Sequence, residues 1–210
     1  MLYLIGGPPR CGKTTLAELL AKEKSIPYFP IDHITSVLTP YIPAHEHESA
    51  LPLSIARKAT NYSNDIFYAK YAPQQIVGFY LQQADTYWPG VENFIKYALA
   101  DEHDLILEGW PILPAFIHAV STPANQAKLK IVLLYKLDRA AIVAGLKANT
   151  AKLDWVIRHT KDEATYRAIA EMISQFGSYI EAEAKKYNLA AVNTDFAFQR
   201  KIADALKILL

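Results

Sequence analysis

Leu2-Tyr3-Leu4-Ile5-Gly6-Gly7-Pro8-Pro9-Arg10-Cys11-Gly12-Lys13-Thr14-Thr15 opens on four apolar residues, turns on paired glycines and runs into Leu16, Leu19 and Leu20 at helical spacing. The short continuous apolar run suits a strand buried on both faces of a parallel sheet. Thr14 to Lys24, with alanines between its leucines, reads as a helix. Between them, Gly7-Pro8-Pro9-Arg10-Cys11-Gly12-Lys13-Thr14 has the spacing glycine, four residues, Gly-Lys-Thr. Glycines let the backbone curl so that successive N–H groups point inward, and the positive N-terminal end of the helix adds to the same small volume. The chemistry implied is capture of a polyphosphate. Lys13 would reach its terminal phosphates and the Thr14 hydroxyl would help to hold an accompanying Mg²⁺. Thr15 and Arg10 are accessory donors. A glycine turn that merely joins strand to helix is the plain alternative, and the complete pattern between the right flanks disfavours it.

Working outward, the buried-strand signature recurs at Leu105-Ile106-Leu107, at Leu129 to Leu134 and at Ala190-Ala191-Val192. Tyr28-Phe29-Pro30-Ile31 contains a proline and belongs at a sheet edge. Helical patterns fill the gaps, among them Tyr87 to Ala100 and a long run from Glu163 to Lys186 with an apolar stripe of Ile169, Met172, Ile173, Phe176 and Ile180. Alternating strands and helices predict an α/β fold in three layers around a mostly parallel sheet. Residues 33–103, rich in tyrosine and broken by prolines, read as a helical insertion over one end of that sheet. Residues 137–162 read as a lid-like segment, where Arg139, Lys147, Lys152 and Arg158 surround Gly145 and Asn149-Thr150.

At 210 residues the chain is expected to be a single domain, 1–210, since no repeat, low-complexity tract or linker divides it. With 22 basic against 21 acidic side chains the net charge is +1, which gives no general field for nucleic acid or an anionic membrane. Any anion must be bound locally. No stretch is long and apolar enough to span a membrane, and no secretory leader is visible, so neither a nucleic-acid nor a membrane partner is expected. Cys11 is the single cysteine, and a reducing cytoplasm is the expected setting. A thiol at a helix N-terminus raises the question of a redox-sensitive loop, against which a small residue filling the loop is the simpler reading.

The loop resembles that of the P-loop NTPases, and its early position is similar to the small-molecule and nucleoside-monophosphate kinases among them. The resemblance implies a five-stranded parallel sheet of order 2-3-1-4-5, a substrate-binding helical insertion after strand 2 and a lid after strand 4. It implies ATP and Mg²⁺ as cofactors and a small-molecule acceptor, in a monomer or homodimer.

Glu108 ends a buried strand beside Gly109, at the edge where α/β sheets bind ligands. In the similar kinases a carboxylate there acts on Mg²⁺ or on the attacking group; a solvated strand-end charge is the alternative. Asp32 follows the second strand and precedes Ile34, Val37 and Leu38, so it is either a helix N-cap or, by the resemblance, a base facing the acceptor hydroxyl. Arg139 and Arg158 are the expected lid cations for the transferring phosphoryl, with Lys152 and Arg167 behind them. Asn193-Thr194-Asp195 resembles the loop that borders the nucleotide base in such folds; a turn and a helix cap at Asp195 is the bland reading. Arg57 with Lys58 is the only basic pair in the insertion, thin for a nucleotide acceptor.

His45-Glu46-His47-Glu48 does not have the spacing of a metal site, because neighbours two apart do not share a helical face. Trp110-Pro111 must lie near the strand ends, and tyrosines 62, 68, 71, 80 and 87 with Trp88 are divided between core packing and a pocket wall. Trp155 is expected to pack the lid. The reading is an ATP-dependent, Mg²⁺-assisted phosphotransferase acting on a hydroxyl of a small molecule. A nucleoside or nucleotide kinase is the enzymatic alternative, and a nucleotide-gated ATPase or regulatory protein the alternative from another class.

Overall fold

A computed structural model describes residues 1–148 and 155–210, so Lys152 and the Asn149-Thr150 pair lie outside the described residues. In chain order the elements are β1 (Leu2–Gly6), α1 (Lys13–Lys24), β2 (Tyr28–Pro30), α2 (Ile31–Leu38), α3 (His47–Ala50), α4 (Pro52–Lys58), α5 (Asn64–Lys70) and α6 (Pro73–Ala100). There follow β3 (Leu105–Gly109), α7 (Pro114–Val120), β4 (Leu129–Tyr135), α8 (Arg139–Ala148), α9 (Trp155–His159), α10 (Glu163–Lys186), β5 (Ala191–Asn193) and α11 (Phe198–Leu209). All strand pairs are parallel and the sheet order is β2-β3-β1-β4-β5.

β1 is central and wholly buried, as its unbroken apolar sequence requires. Its side chains alternate between the two faces. Tyr3 and Ile5 join Ile106, Val132 and Leu134 under α1 and α11, while Leu2 and Leu4 join Leu107 and Leu133 under α6, α7 and α10. Two apolar layers therefore sandwich the sheet. β2 takes the edge, where the missing N–H of Pro30 costs no ladder bond.

The segment between β2 and β3 is helical, but its longest helix begins earlier than the sequence pattern indicates. α6 runs 28 residues from Pro73 with Pro89 inside it, whereas the pattern predicts a helix only from Tyr87. Pro73 sits in the first turn, where a missing N–H is harmless, and Pro89 forfeits one interior hydrogen bond that tertiary packing outweighs. A Cβ on Gly90 would stand 2.6 Å from Leu38 Cδ1, so the Pro89-Gly90 step is where α2 presses on α6. β5 lies one residue later than the apolar run Ala190 to Val192, because register with Leu133, Leu134 and Tyr135 extends it to Asn193.

Candidate active site

The parallel register brings the C-terminal ends of the strands to one edge. Gly6 is level with Gly109 and Leu133, Pro30 with Glu108, and Tyr135 with Asn193. A cavity of about 930 Å³ opens along that edge. At one end stand Pro9, Arg10, Gly12, Lys13, Thr14 and Thr15, joined by Lys136, Asp195 and Phe198. Asp32, Leu53, Arg57, Phe67, Tyr68, Tyr80, Trp110 and Trp155 line it as well, with Glu108 and Gly109 from β3.

The loop after β1 adopts its curl through left-handed residues at Gly7 (φ 135°), Arg10 (φ 67°) and Gly12 (φ 102°). Any Cβ on Gly7 would come within 2.0 Å of Leu134 O, so this glycine is required by the close approach of loop and sheet. Lys13 Nζ donates to Pro8 O at 2.7 Å, and the buried Cys11 Sγ lies 2.9 Å from the same oxygen. Burial pushes the Cys11 thiol up, although Lys13 and Lys136 pull the other way. A protonated, inaccessible thiol supports the filler reading over the redox-sensitive one. Gly7, Pro8 and Cys11 shape the loop from behind and do not line the cavity.

Thr14 Oγ1 donates to Glu108 Oε1 at 2.9 Å, joining the first turn of α1 to the end of β3. Glu108 is only 6% exposed, which removes the reading of a solvated strand-end charge. A hydroxyl and a carboxylate side by side are oxygen donors of the kind Mg²⁺ takes. Among the described residues no three His, Cys, Asp or Glu side chains cluster to hold a metal.

Asp32 is not a helix cap. Pro30 is the N-cap residue of α2, and Asp32 stands exposed in the first turn of that helix, two residues beyond the β2 partner of Glu108. Thr194 does not reach the cavity: it is fully buried, and its Oγ1 lies 2.9 Å from Cys11 O and 3.2 Å from Tyr135 O, tying the loop to β4. Asp195 does line the cavity, where both carboxylate oxygens accept from Leu137 N at 3.0 Å. The cap of α11 is Ala197, so Asp195 is not that cap either.

The expected lid cations stand elsewhere. Arg139 donates to Glu171 of α10 at 2.6 Å, and Arg158 is exposed; neither lines the cavity. Instead Lys136, one residue past β4 and 8% exposed, does so. Burial lowers its pKa, partly offset by Asp195, and its ammonium stands 5.6 Å from the Phe198 ring centroid. The signal for Lys136 was present in the sequence, since it ends an apolar strand as Glu108 does. Gly177 makes room for it: a Cβ there would lie 2.1 Å from Lys136 O.

Arg57 is the cation among the insertion's cavity residues. Its Nη1 donates to Asn64 Oδ1 at 2.6 Å, and its guanidinium carbon lies 4.8 Å from the Phe67 ring centroid and 5.5 Å from that of Trp155. Burial pushes Tyr80 up to about 12, against the pull of Arg57, and also raises Tyr68 well above its ordinary value, so both phenols present neutral O–H groups. Tyr80 meets Trp110 edge to face at 5.0 Å.

No family model matches the chain. It is 30% identical over 114 residues to mevalonate-3-phosphate 5-kinase of Thermoplasma acidophilum, which is 54% of this chain and 52% of that protein. The chain thus spans about half the length of that curated relative. Among solved structures, shikimate kinase from Bacteroides thetaiotaomicron superposes with a TM-score of 0.50 at 15% identity, covering 99% of this chain and 94% of that one. A gluconokinase from Sinorhizobium meliloti superposes with a TM-score of 0.53 at 11% identity, covering 99% and 90%. The fold is that of the P-loop kinases.

Proposed function

We propose that the protein is an ATP-dependent phosphotransferase that moves the γ-phosphoryl group of MgATP to a hydroxyl of a small anionic acceptor. One observation carries this reading above the others. The phosphate loop, the Thr14–Glu108 contact, Asp32 and Arg57 all face a single cavity, large enough for a nucleotide tail and a second small molecule. Kinase neighbours in fold, and a partial relative named as a kinase of a phosphorylated hydroxy acid, support it.

In this reading Lys13, Arg10 and Lys136 hold the nucleotide's phosphates, with Asp195 and Phe198 bordering the nucleotide beyond them. Thr14 and Glu108 would hold Mg²⁺, which would neutralise charge on the nucleotide's phosphates. Arg57 takes the acceptor's anionic group, and Asp32 accepts the proton of its hydroxyl. The acceptor oxygen bonds to the γ-phosphorus while the bond from that phosphorus to the β–γ bridging oxygen breaks, releasing ADP. A cytoplasmic setting fits this use of ATP, and no helix among the described residues is long and apolar enough to cross a membrane.

The test is transfer of labelled γ-phosphate from MgATP to a panel containing shikimate, gluconate, mevalonate 3-phosphate, neutral sugars and nucleoside monophosphates, beside a water-only control. Label on an anionic alcohol is the expected result. Label found only as free phosphate throughout would overturn it in favour of an ATPase.

A further inference from the structure

Asn64 is wholly buried, and every polar group of its carboxamide is used. Its Oδ1 accepts from Arg57 Nη1 at 2.6 Å, while its Nδ2 donates to Thr160 Oγ1 at 2.8 Å and lies 3.2 Å from Trp155 O. It therefore joins α5, the cavity-lining end of α4, and both ends of the segment from Trp155 to Thr160. Trp155 closes the arrangement by placing its ring beside the same guanidinium.

The chemistry of this partner is informative. A buried or half-buried arginine is ordinarily balanced by a carboxylate. Among the described residues Arg57 has no ion-pair partner; it has a neutral amide oxygen and two aromatic faces. That set fixes the plane of the guanidinium and leaves its charge uncancelled toward the cavity. We propose that Asn64 is a positioning residue, whose neutral carboxamide aims Arg57 at the acceptor's anionic group without neutralising it and ties that aim to α9. The inference rests on the reading of Arg57 as the acceptor's anion site.

The discriminating change is Asn64→Asp. It is isosteric, keeps an oxygen for Arg57, adds a competing negative charge and removes the donor to Thr160 and Trp155. Asn64→Ala removes the pin and keeps the charge. The probe is inorganic phosphate titrated by calorimetry into the protein saturated with MgAMP-PNP, so that the phosphate loop is filled and the remaining anion site is read. MgAMP-PNP affinity, in which Asn64 has no part, serves as the control for folding.

The expected order of phosphate dissociation constants is wild type below Asn64→Ala below Asn64→Asp. The aspartate variant should be weakened about tenfold or more, as for loss of a charge-assisted contact, and MgAMP-PNP binding should stay within about twofold. If Asn64→Asp binds phosphate as wild type while Arg57→Met does not bind it, the inference alone is overturned. Phosphate binding unchanged in Arg57→Met overturns the acceptor reading and the inference with it. Should Asn64→Asp fail to fold, Asn64→Ala decides: an unchanged phosphate affinity overturns the proposal, and a severalfold loss with normal MgAMP-PNP binding supports it.

Discussion

Replacing Gly177 by alanine sets two known effects against each other at one position. Gly177 lies inside α10, where alanine is the better helix former by about 1 kcal/mol. Its added Cβ, however, would stand 2.1 Å from Lys136 O and 3.1 Å from Lys136 C, both backbone atoms that cannot rotate away. Reaching ordinary van der Waals contact requires about 1.3 Å or more of relative movement between α10 and the end of β4, and overpacking of that kind costs about 1 to 3 kcal/mol or more. The clash wins. Net of the helix gain, a cost of up to about 2 kcal/mol means that Gly177→Ala should lower Tm by up to about 8 °C, given about 2 to 4 °C per kcal/mol for a chain of this size. Because the displaced backbone belongs to Lys136, MgATP affinity should fall severalfold as well. Gly78 supplies the internal control: it is exposed within α6, and a Cβ added there would meet nothing within 4 Å, so Gly78→Ala should raise Tm by a few degrees and leave nucleotide binding alone. Thermal melts followed by circular dichroism, with calorimetric titration of MgATP, read both quantities. A Gly177→Ala protein as stable as wild type, with unchanged MgATP affinity, would show that α10 and the Lys136 backbone are not held in this contact.

Lys13→Met should lower phosphoryl transfer by about 100-fold or more, as for loss of a preorganised charge contact, with Tm nearly unchanged; initial rates and a melt check both. Arg139→Ala should do little, because its pair with Glu171 is a surface ion pair worth about 0 to 1 kcal/mol and the side chain does not face the cavity; a fall in kcat beyond about threefold would refute this placement. Burial raises the Asp65 pKa, but hydrogen bonds from Thr165 and from the backbone N–H groups of Lys161 and Asp162 outweigh it, and the net shift is downward. A carboxyl whose folded pKa is depressed contributes stability that is complete above its unfolded value of about 3.9 and is lost as pH falls through the folded value. Asp65→Asn should therefore be less stable than wild type near neutral pH, with the gap closing below about pH 4; urea midpoints across that range are the measurement, and a gap that widens on acidification would reverse the sign.

The parts legible in the sequence are those fixed by short-range chemistry. A continuous apolar run ending in Gly6-Gly7, followed by Gly12-Lys13-Thr14, has few foldings that satisfy its backbone, and Glu108 at the end of a second such run is carried to the same edge by register alone. Pro30 placed β2 at the edge by the same kind of local argument. The failures have a common physical origin. Whether a cation on a helix faces a cavity or a carboxylate depends on what packs opposite, and Arg139 meets Glu171 from a helix far along the chain. Thr194 and Asp195 looked alike as short polar residues in one turn, yet one is spent holding Cys11 O and the other opens to the cavity. Lys136 obeyed the strand-end rule already applied to Glu108. Asn64 carried no signal, since a buried amide at a helix start is defined only by partners from Arg57 to Thr160.

The cavity is assembled from two kinds of support. Around the phosphate loop, the lining groups lie on the loop itself, at or just past the ends of β3, β4 and β5, or at the starts of α1 and α11, and Thr194 and Gly177 lock the neighbouring backbones together. Such a region moves only if the sheet edge moves. Arg57, Phe67, Tyr68, Tyr80 and Trp155 instead come from helices outside the sheet, held by aromatic and cation–π contacts, and tied to the stretch from Trp155 to Asp162 that leads into α10 by Asn64 and Asp65. Those are few, specific, polar ties, and they are the part of the molecule that a change of acceptor can rewrite without disturbing the sheet. On the proposed function, phosphate capture is a property of the fold, and acceptor choice a property of the side chains on α4, α5 and α6. A fixed charge at Arg57, uncancelled and aimed by a neutral amide, is the arrangement expected where the second half must recognise an anion while standing close to the strongly charged nucleotide.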